Sequence, residues 1–258
     1  MRPWQPPACL WMSDVHGRQL VGVLALVNHT HPMLSARGPE EIVQEVEVRD
    51  RATSERLASY RLGRTAGRAA LDWWRGAQPG AVEIVRGPLG QPRATLLGAD
   101  VAEISISHCP GWAAAVAAEC GRPVAVDIEP RGADRLAVDS GAVAEIELRR
   151  AQECGLGSAD AALVLWTARE AAAKALRTGL TVSPDVLNIG EITLESRHVV
   201  GVRYERLHAM TGRILLLDEC VVALATPAYR SSRLVTAQVS NPCRSSVHQW
   251  TVSMIGQR

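Results

Sequence analysis

The first uninterrupted apolar run, Leu20–Val27 (LVGVLALV), reads as a buried strand, and the polar, proline-containing stretch through HTHP and ARGPEE after it reads as a loop. From Ser54 to Trp74 the pattern changes to a helical one, with Ser54 as the expected N-cap and Leu57, Tyr60, Leu71 and Trp74 on the apolar side. A short strand at Val82–Val85 and a turn-rich RGPLGQPR precede Val101–His108, which alternates as a half-buried strand. Pro110-Gly111 then turns the chain into Trp112–Ala118, the expected hairpin partner, and Gly121-Arg122-Pro123 breaks the pattern.

Beyond that break, Val124–Pro130 (VAVDIEP) is a β-prone run carrying two carboxylates. A helix is expected around Ser140–Cys154, and a long alanine-rich helix over Ser158–Arg177, with Ser158 as N-cap and Gly179 just past its end. Further strands are expected at Val186–Leu194, His198–Tyr204 and Cys220–Thr226, and Tyr229–Arg258, with three apolar patches amid Ser, Arg and Gln, reads as a tail without firm order. Strands and one long helix thus recur in two halves, on either side of the break at Gly121–Pro123.

Composition narrows what such a protein does. The chain of 258 residues is long enough to bury a sizeable core, and it fills that core without phenylalanine. A formal charge of +1 provides no global field to recruit nucleic acid or an anionic membrane. Its six cysteines are scattered without a CxxC pair, which favours a reduced, cytoplasmic protein over a zinc site or a disulfide framework. No apolar run approaches the roughly twenty residues of a membrane-spanning helix, and no signal-peptide pattern opens the chain. His29 and His31 have no third partner nearby and read as solvated loop residues rather than a metal site.

Three features carry candidate chemistry. On a strand, Asp127 and Glu129 point to one face and Ile128 to the other. Two carboxylates about 7 Å apart repel each other, and burying them unpaired costs several kcal/mol; a divalent cation with hard oxygen ligands, Mg²⁺ first, resolves the conflict. A D-x-E on a water-facing edge strand is spelled the same way, so the pair alone does not decide. Glu170 and Lys174 share a helix face one turn beyond Trp166, as a surface ion pair would. Arg61, Arg64 and Arg68 form a stripe whose only acid one turn away is Asp72, beyond Arg68, and such an under-paired row suits phosphate oxygens, although a solvated face has the same spacing. Together with His108 at a strand end, these groups form a set able to hold a magnesium pyrophosphate and transfer a phosphoryl-type group.

In order, GRTAGRAAL (Gly63–Leu71), GQP (Gly90–Pro92), ISISHC (Ile104–Cys109), VAVDIE (Val124–Glu129) and WTAREAAAKAL (Trp166–Leu176) resemble the 4′-phosphopantetheinyl transferases. The likeness is to the large two-lobed type that activates siderophore and other nonribosomal peptide or polyketide synthases, closest to the siderophore-synthase (enterobactin-type) branch, and it spans roughly residues 50–228. It implies an α+β monomer of two similar, pseudo-twofold-related lobes, residues 1–122 and 123–228, with the active site in the cleft between them and a tail from 229 to 258. It further implies that Asp127, Glu129 and Glu170 hold Mg²⁺ (or Mn²⁺), that Glu170 is general base, and that Lys174 neutralises the pyrophosphate of coenzyme A. Ser107, His108, Arg68, Arg64 and Arg61 would hold the nucleotide phosphates, and an acyl, peptidyl or aryl carrier protein would accept the phosphopantetheine on a serine, releasing 3′,5′-ADP. Against this stand two rivals: a non-catalytic coenzyme A or carrier-binding module, and an Mg²⁺-dependent phosphodiester hydrolase. The sequence departs from the family pattern at Ala125, where a glycine is usual, at Arg169, where a lysine is usual, and at Gln91, where a basic residue is usual.

Overall fold

The computed structural model describes residues 8–13, 20–30, 39–75, 82–132, 143–228 and 233–235. The loop residues 31–38 with His31, the expected helix start at 140–142 and most of the tail lie outside them. The first sheet takes β1 (Ala8–Ser13), β2 (Leu20–Asn28), β3 (Glu83–Arg86), β4 (Pro92–Leu96), β5 (Ala99–Cys109), β6 (Trp112–Ala118) and β12 (Arg233–Val235), in the order β12-β1-β2-β6-β5-β4-β3. The second takes β7 (Ala125–Pro130), β8 (Ile189–Ser196), β9 (Val199–Tyr204), β10 (Met210–Leu216) and β11 (Cys220–Pro227), in the order β7-β11-β10-β9-β8. The helices are α1 (Pro39–Arg51), α2 (Ser54–Arg75), α3 (Glu145–Glu153) and α4 (Ser158–Ala175). The protein is therefore α+β and two-lobed, as the family resemblance implies.

Strand alternation builds the layers. On β2 and β6, Val23, Ala25, Val27, Ala113, Ala115 and Ala117 pack under α2, while Leu24, Leu26, Ala114 and Val116 face the second sheet. On β7 and β11, Val126, Ile128, Val222 and Leu224 meet that face, and Ala125, Val221, Ala223 and Ala225 turn away toward α4. The two sheets thus back onto each other, with α2 on one outer face and α4 with α3 on the other. Each fully buried aliphatic side chain in the shared layer is worth about 1.5–3 kcal/mol, so the lobes stabilise one another.

α2 lies close to the first sheet because it carries two glycines one turn apart. A Cβ on Gly67 would sit 2.7 Å from Ile106 Cδ1 and 2.9 Å from Ile84 Cδ1, and one on Gly63 would sit 3.2 Å from His108 Cδ2. α4 achieves the same with alanine: Ala161, Ala162, Ala168, Ala171, Ala172 and Ala173 are all essentially buried. Ala125 packs in that core at 1% exposure, so the missing glycine is accommodated by small partners rather than crowding the strand.

Several expectations need correction. The cap of α2 is Thr53, whose Oγ1 accepts from Arg56 N at 3.3 Å, not Ser54. The cap residue of α4 is Gly157, and Ser158 instead accepts from Gln152 Nε2 at 3.1 Å. The left-handed residue ending α4 is Arg177 (φ 57°), with Thr178 N donating to Ala173 O at 3.1 Å; Gly179 (φ 56°) already opens the next turn. The strand expected from Val186 begins at Ile189, after a 3₁₀ turn at Pro184–Leu187. β1, α1, β4 and β10 were not foreseen, and the tail contributes β12, which pairs antiparallel with β1 and so returns the chain to the first sheet. Among the described residues no helix is long and apolar enough to cross a membrane.

If the layer between the sheets joins the lobes, Leu224→Ala should lower stability by about 2–5 kcal/mol. Unfolding followed by far-ultraviolet circular dichroism and by tryptophan fluorescence should still give coincident transitions. Separate transitions for the two lobes would contradict the shared core.

Candidate functional site

β7 delivers its carboxylates as the alternation predicts: Ile128 enters the layer between the sheets, and Asp127 and Glu129 face α4. Across them α4 presents Trp166, Glu170 and Lys174 at successive turns. Trp166 Nε1 donates to Glu129 Oε1 at 3.4 Å, and Lys174 Nζ donates to Asp127 Oδ1 at 2.5 Å. From the first lobe, Ser107 Oγ donates to Asp127 Oδ1 at 2.8 Å and accepts from Lys174 Nζ at 2.9 Å. Glu170 and Lys174 are thus not an isolated surface pair, and the D-x-E motif does not face water: Asp127 is 3% exposed.

The electrostatics of this group are strained toward negative charge. Burial, then the Asp127 charge, pushes the Glu129 carboxyl up to about 7, opposed by the Trp166 hydrogen bond and by Lys174. Glu170 is raised as well, first by burial and then by Asp127, with Lys174 opposing. Asp127 Oδ2 is buried and has no hydrogen-bond partner among the described residues. An unpartnered buried carboxylate oxygen beside two carboxyls that resist ionisation is the chemistry a hard divalent cation satisfies, so the donor set fits Mg²⁺ or Mn²⁺. Among the described residues, however, no three acidic, histidine or cysteine side chains converge as a formed metal cluster; the ammonium of Lys174 lies on Asp127 instead.

A cleft of about 500 Å³ opens beside Lys174, lined by Gly90, Pro92, Ser105, Ile106, Pro123 and Arg177. Arg177 Nη2 bridges it to Glu103 Oε2 at 2.6 Å, joining the end of α4 to β5. In the GQP turn the Gln91 side chain folds inward, accepting from Leu89 N at 2.9 Å and filling the space beside Gly87. Of the two arginines able to substitute for a basic residue there, Arg93 is held by both oxygens of Asp100 at 3.0 Å, and Arg86 lies alongside Gly90.

The arginine stripe is placed differently from its sequence reading. Arg68 is 3% exposed and donates to the Val82 carbonyl. Arg64 donates to Ile84 O and Gln44 Oε1, each at 2.6 Å, and lies over the Tyr60 ring; Arg61 pairs with Glu45 Oε1 at 2.8 Å. The row is not under-paired: its partners come from α1, β3 and Val82 just before β3, which helical spacing within α2 does not reveal. Arg56, in the first turn of α2, is a cation whose charge acts on His108 and which the sequence reading did not single out. His108, exposed at the end of β5 above Gly63, has its pKa lowered by desolvation first, then by Lys174, with Arg56 a further cause. Arg56 lies seven residues, two helical turns, before Gly63 on α2, and that spacing was the available signal.

Arg169 also serves elsewhere. It is buried, pairs with Glu147, and reaches Asn188 Oδ1 at 3.2 Å and Leu187 O at 3.4 Å. Glu147 in turn accepts from Ile189 N at 2.7 Å and Ala144 N at 3.0 Å. The guanidinium fork binds α4 to α3 and β8, a task that a single ammonium would perform less completely. His29, also considered for metal, uses its backbone N–H to close the end of β2 on Gly111 O at 2.9 Å.

Residues 123–217, from the linker before β7 to the end of β10, match the family model of the 4′-phosphopantetheinyl transferase superfamily. The match contains Asp127, Glu129, Glu170 and Lys174. No curated protein matches the chain.

The folded chain keeps a proton on Glu129 up to about pH 7, whereas the unfolded chain releases it near 4.5. Between those values the folded state binds more protons, so this group makes stability fall as pH rises. Glu129→Gln should remove that loss: in denaturant titrations without divalent ions, its stability relative to the unsubstituted protein should rise from pH 4.5 to 7. A difference independent of pH would contradict the buried charge.

Proposed function

We propose that the protein transfers the 4′-phosphopantetheine group of coenzyme A to a serine hydroxyl of an apo carrier protein, releasing 3′,5′-ADP. The reading rests on one observation above all. Asp127 has one oxygen engaged by Lys174 and Ser107 and the other buried and bare, beside Glu129 and Glu170, within the segment that matches the transferase superfamily.

In this reading Asp127, Glu129 and Glu170 hold Mg²⁺, or Mn²⁺ at the same all-oxygen site. The ion would neutralise the pyrophosphate and stabilise charge developing on it. Glu170 accepts the proton of the carrier serine; its raised pKa brings it nearer to neutrality, where a general base is effective. The serine oxygen bonds to the β-phosphorus of coenzyme A, the bond from that phosphorus to the bridging oxygen breaks, and the electron pair leaves with 3′,5′-ADP. Lys174 stands beside the acidic wall to balance the growing negative charge on the leaving group. In this reading His108, at the end of β5, donates an N–H hydrogen bond to the nucleotide phosphates.

The acceptors in this reading are the acyl, peptidyl or aryl carriers of nonribosomal peptide, siderophore or polyketide synthases, as the two-lobed, siderophore-type motifs suggest. Both lobes come from one chain, consistent with a cytoplasmic monomer.

Incubated with Mg²⁺, coenzyme A and apo carriers of several synthase types, the protein should add the phosphopantetheine mass to at least one carrier, read by intact-protein mass spectrometry. Glu170→Gln should slow transfer by about 10²–10⁴-fold with unchanged circular dichroism. No mass gain on any carrier, or near-normal turnover by Glu170→Gln, would overturn the reading.

A further inference from the structure

The lobes meet where β5 faces the open edge of β7. β7 pairs with β11 on one side only, and at its other edge two serines of β5 take the place of a neighbouring strand. Val126 N donates to Ser105 Oγ at 3.3 Å, and Ser107 Oγ donates to Asp127 Oδ1 at 2.8 Å. Both serines are buried, at 8% and 7% exposure. Two residues apart on one strand, they share a face and hold two successive residues of β7.

We infer that Ser107 is a positioning residue for Asp127: it fixes which carboxylate oxygen is engaged and which is left bare for the metal, with Ser105 holding the strand in register. This deepens the metal site proposed above and rests on it. The terminal torsion of an aspartate is broad and nearly two-fold, so the carboxylate does not choose its own orientation. Lys174 is a poor guide, because its ammonium sits on a flexible four-carbon stem and its side chain is 33% exposed. Ser107 has a single short side-chain torsion, is buried on a strand, and binds the same oxygen, Oδ1, so the unpartnered atom is Oδ2. Because Ser107 belongs to the first lobe and Asp127 to the second, the free oxygen is available only when the two sheets are correctly docked.

The test measures Mn²⁺ binding to the full chain by calorimetry, without coenzyme A or carrier, alongside far-ultraviolet circular dichroism. Ser107→Ala should weaken Mn²⁺ binding by at least about tenfold, the usual effect of losing a group that orients a metal ligand, with an unchanged circular dichroism spectrum. Ser107→Thr, which keeps the hydroxyl, should restore most of the affinity. Should the alanine variant fail to fold, Ser107→Cys, similar in shape but a weak donor, carries the same expectation. Mn²⁺ affinity unchanged in a folded Ser107→Ala or Ser107→Cys protein, or no recovery with threonine, would overturn the positioning role. Unchanged affinity in Asp127→Ala would instead overturn the metal assignment, so the two failures are distinguishable.

Discussion

Burying Asp127 is the constraint around which the structure is arranged. A carboxylate removed from water is costly unless donors replace its hydration, and no single element here supplies enough of them. One donor comes from α4 through Lys174 and another from β5 through Ser107, while Asp127 itself lies on β7. Three elements from two lobes must therefore meet at one oxygen, and the chain around them is built of residues small enough to allow it. Ala125 below Asp127 and the alanines of α4 permit the helix to lie close on the second sheet, as Gly63 and Gly67 do for α2 on the first.

The lobes are held together by means that differ in strength. The apolar layer of Leu24, Val116, Val126, Ile128, Val222 and Leu224 is large and fully buried, and it dominates. The ion pair of Arg177 with Glu103 and the bond from Trp112 Nε1 to Glu219 Oε2 at 2.8 Å lie at the surface, where solvent screening leaves them little net energy. Their effect is geometric: they mark the cleft mouth and the hairpin ends. The buried pair of Arg169 with Glu147 acts within the second lobe alone, fixing α4 to α3 and β8 so that Glu170, the next residue, points toward β7.

What the sequence made legible was whatever depended on period. The alternation of VAVDIEP placed Asp127 and Glu129 on one face, and the spacing of Trp166, Glu170 and Lys174 placed them on one side of a helix; that the two faces meet came from the family resemblance, not from period. Partners from distant elements were not legible. Arg61, Arg64 and Arg68 are spaced as a binding stripe, but Glu45, Gln44 and the carbonyls of Val82 and Ile84 occupy them. Arg169 looked like an altered site residue because it adjoins Glu170, whereas adjacent residues on a helix diverge by about 100° and it faces the core. The role of Ser107 was hidden for the same reason: its partner lies in the other lobe, so its reading as a phosphate ligand could not anticipate a hydroxyl directed at Asp127. β12 was hidden because three residues in a polar tail carry no period of their own.

The two sides of the group around Asp127 and Lys174 differ in charge. On the second lobe, Asp127, Glu129 and Glu170 surround one ammonium, and burial leaves Glu129 and Glu170 reluctant to ionise. That side gains from added positive charge. On the first lobe, His108 is held below its ordinary pKa by desolvation and then by the cations Lys174 and Arg56, so that side gains from added negative charge. In the function proposed above, a phosphate-rich substrate carrying a divalent cation at one end would meet both demands, whereas a free metal ion would relieve only the acidic side.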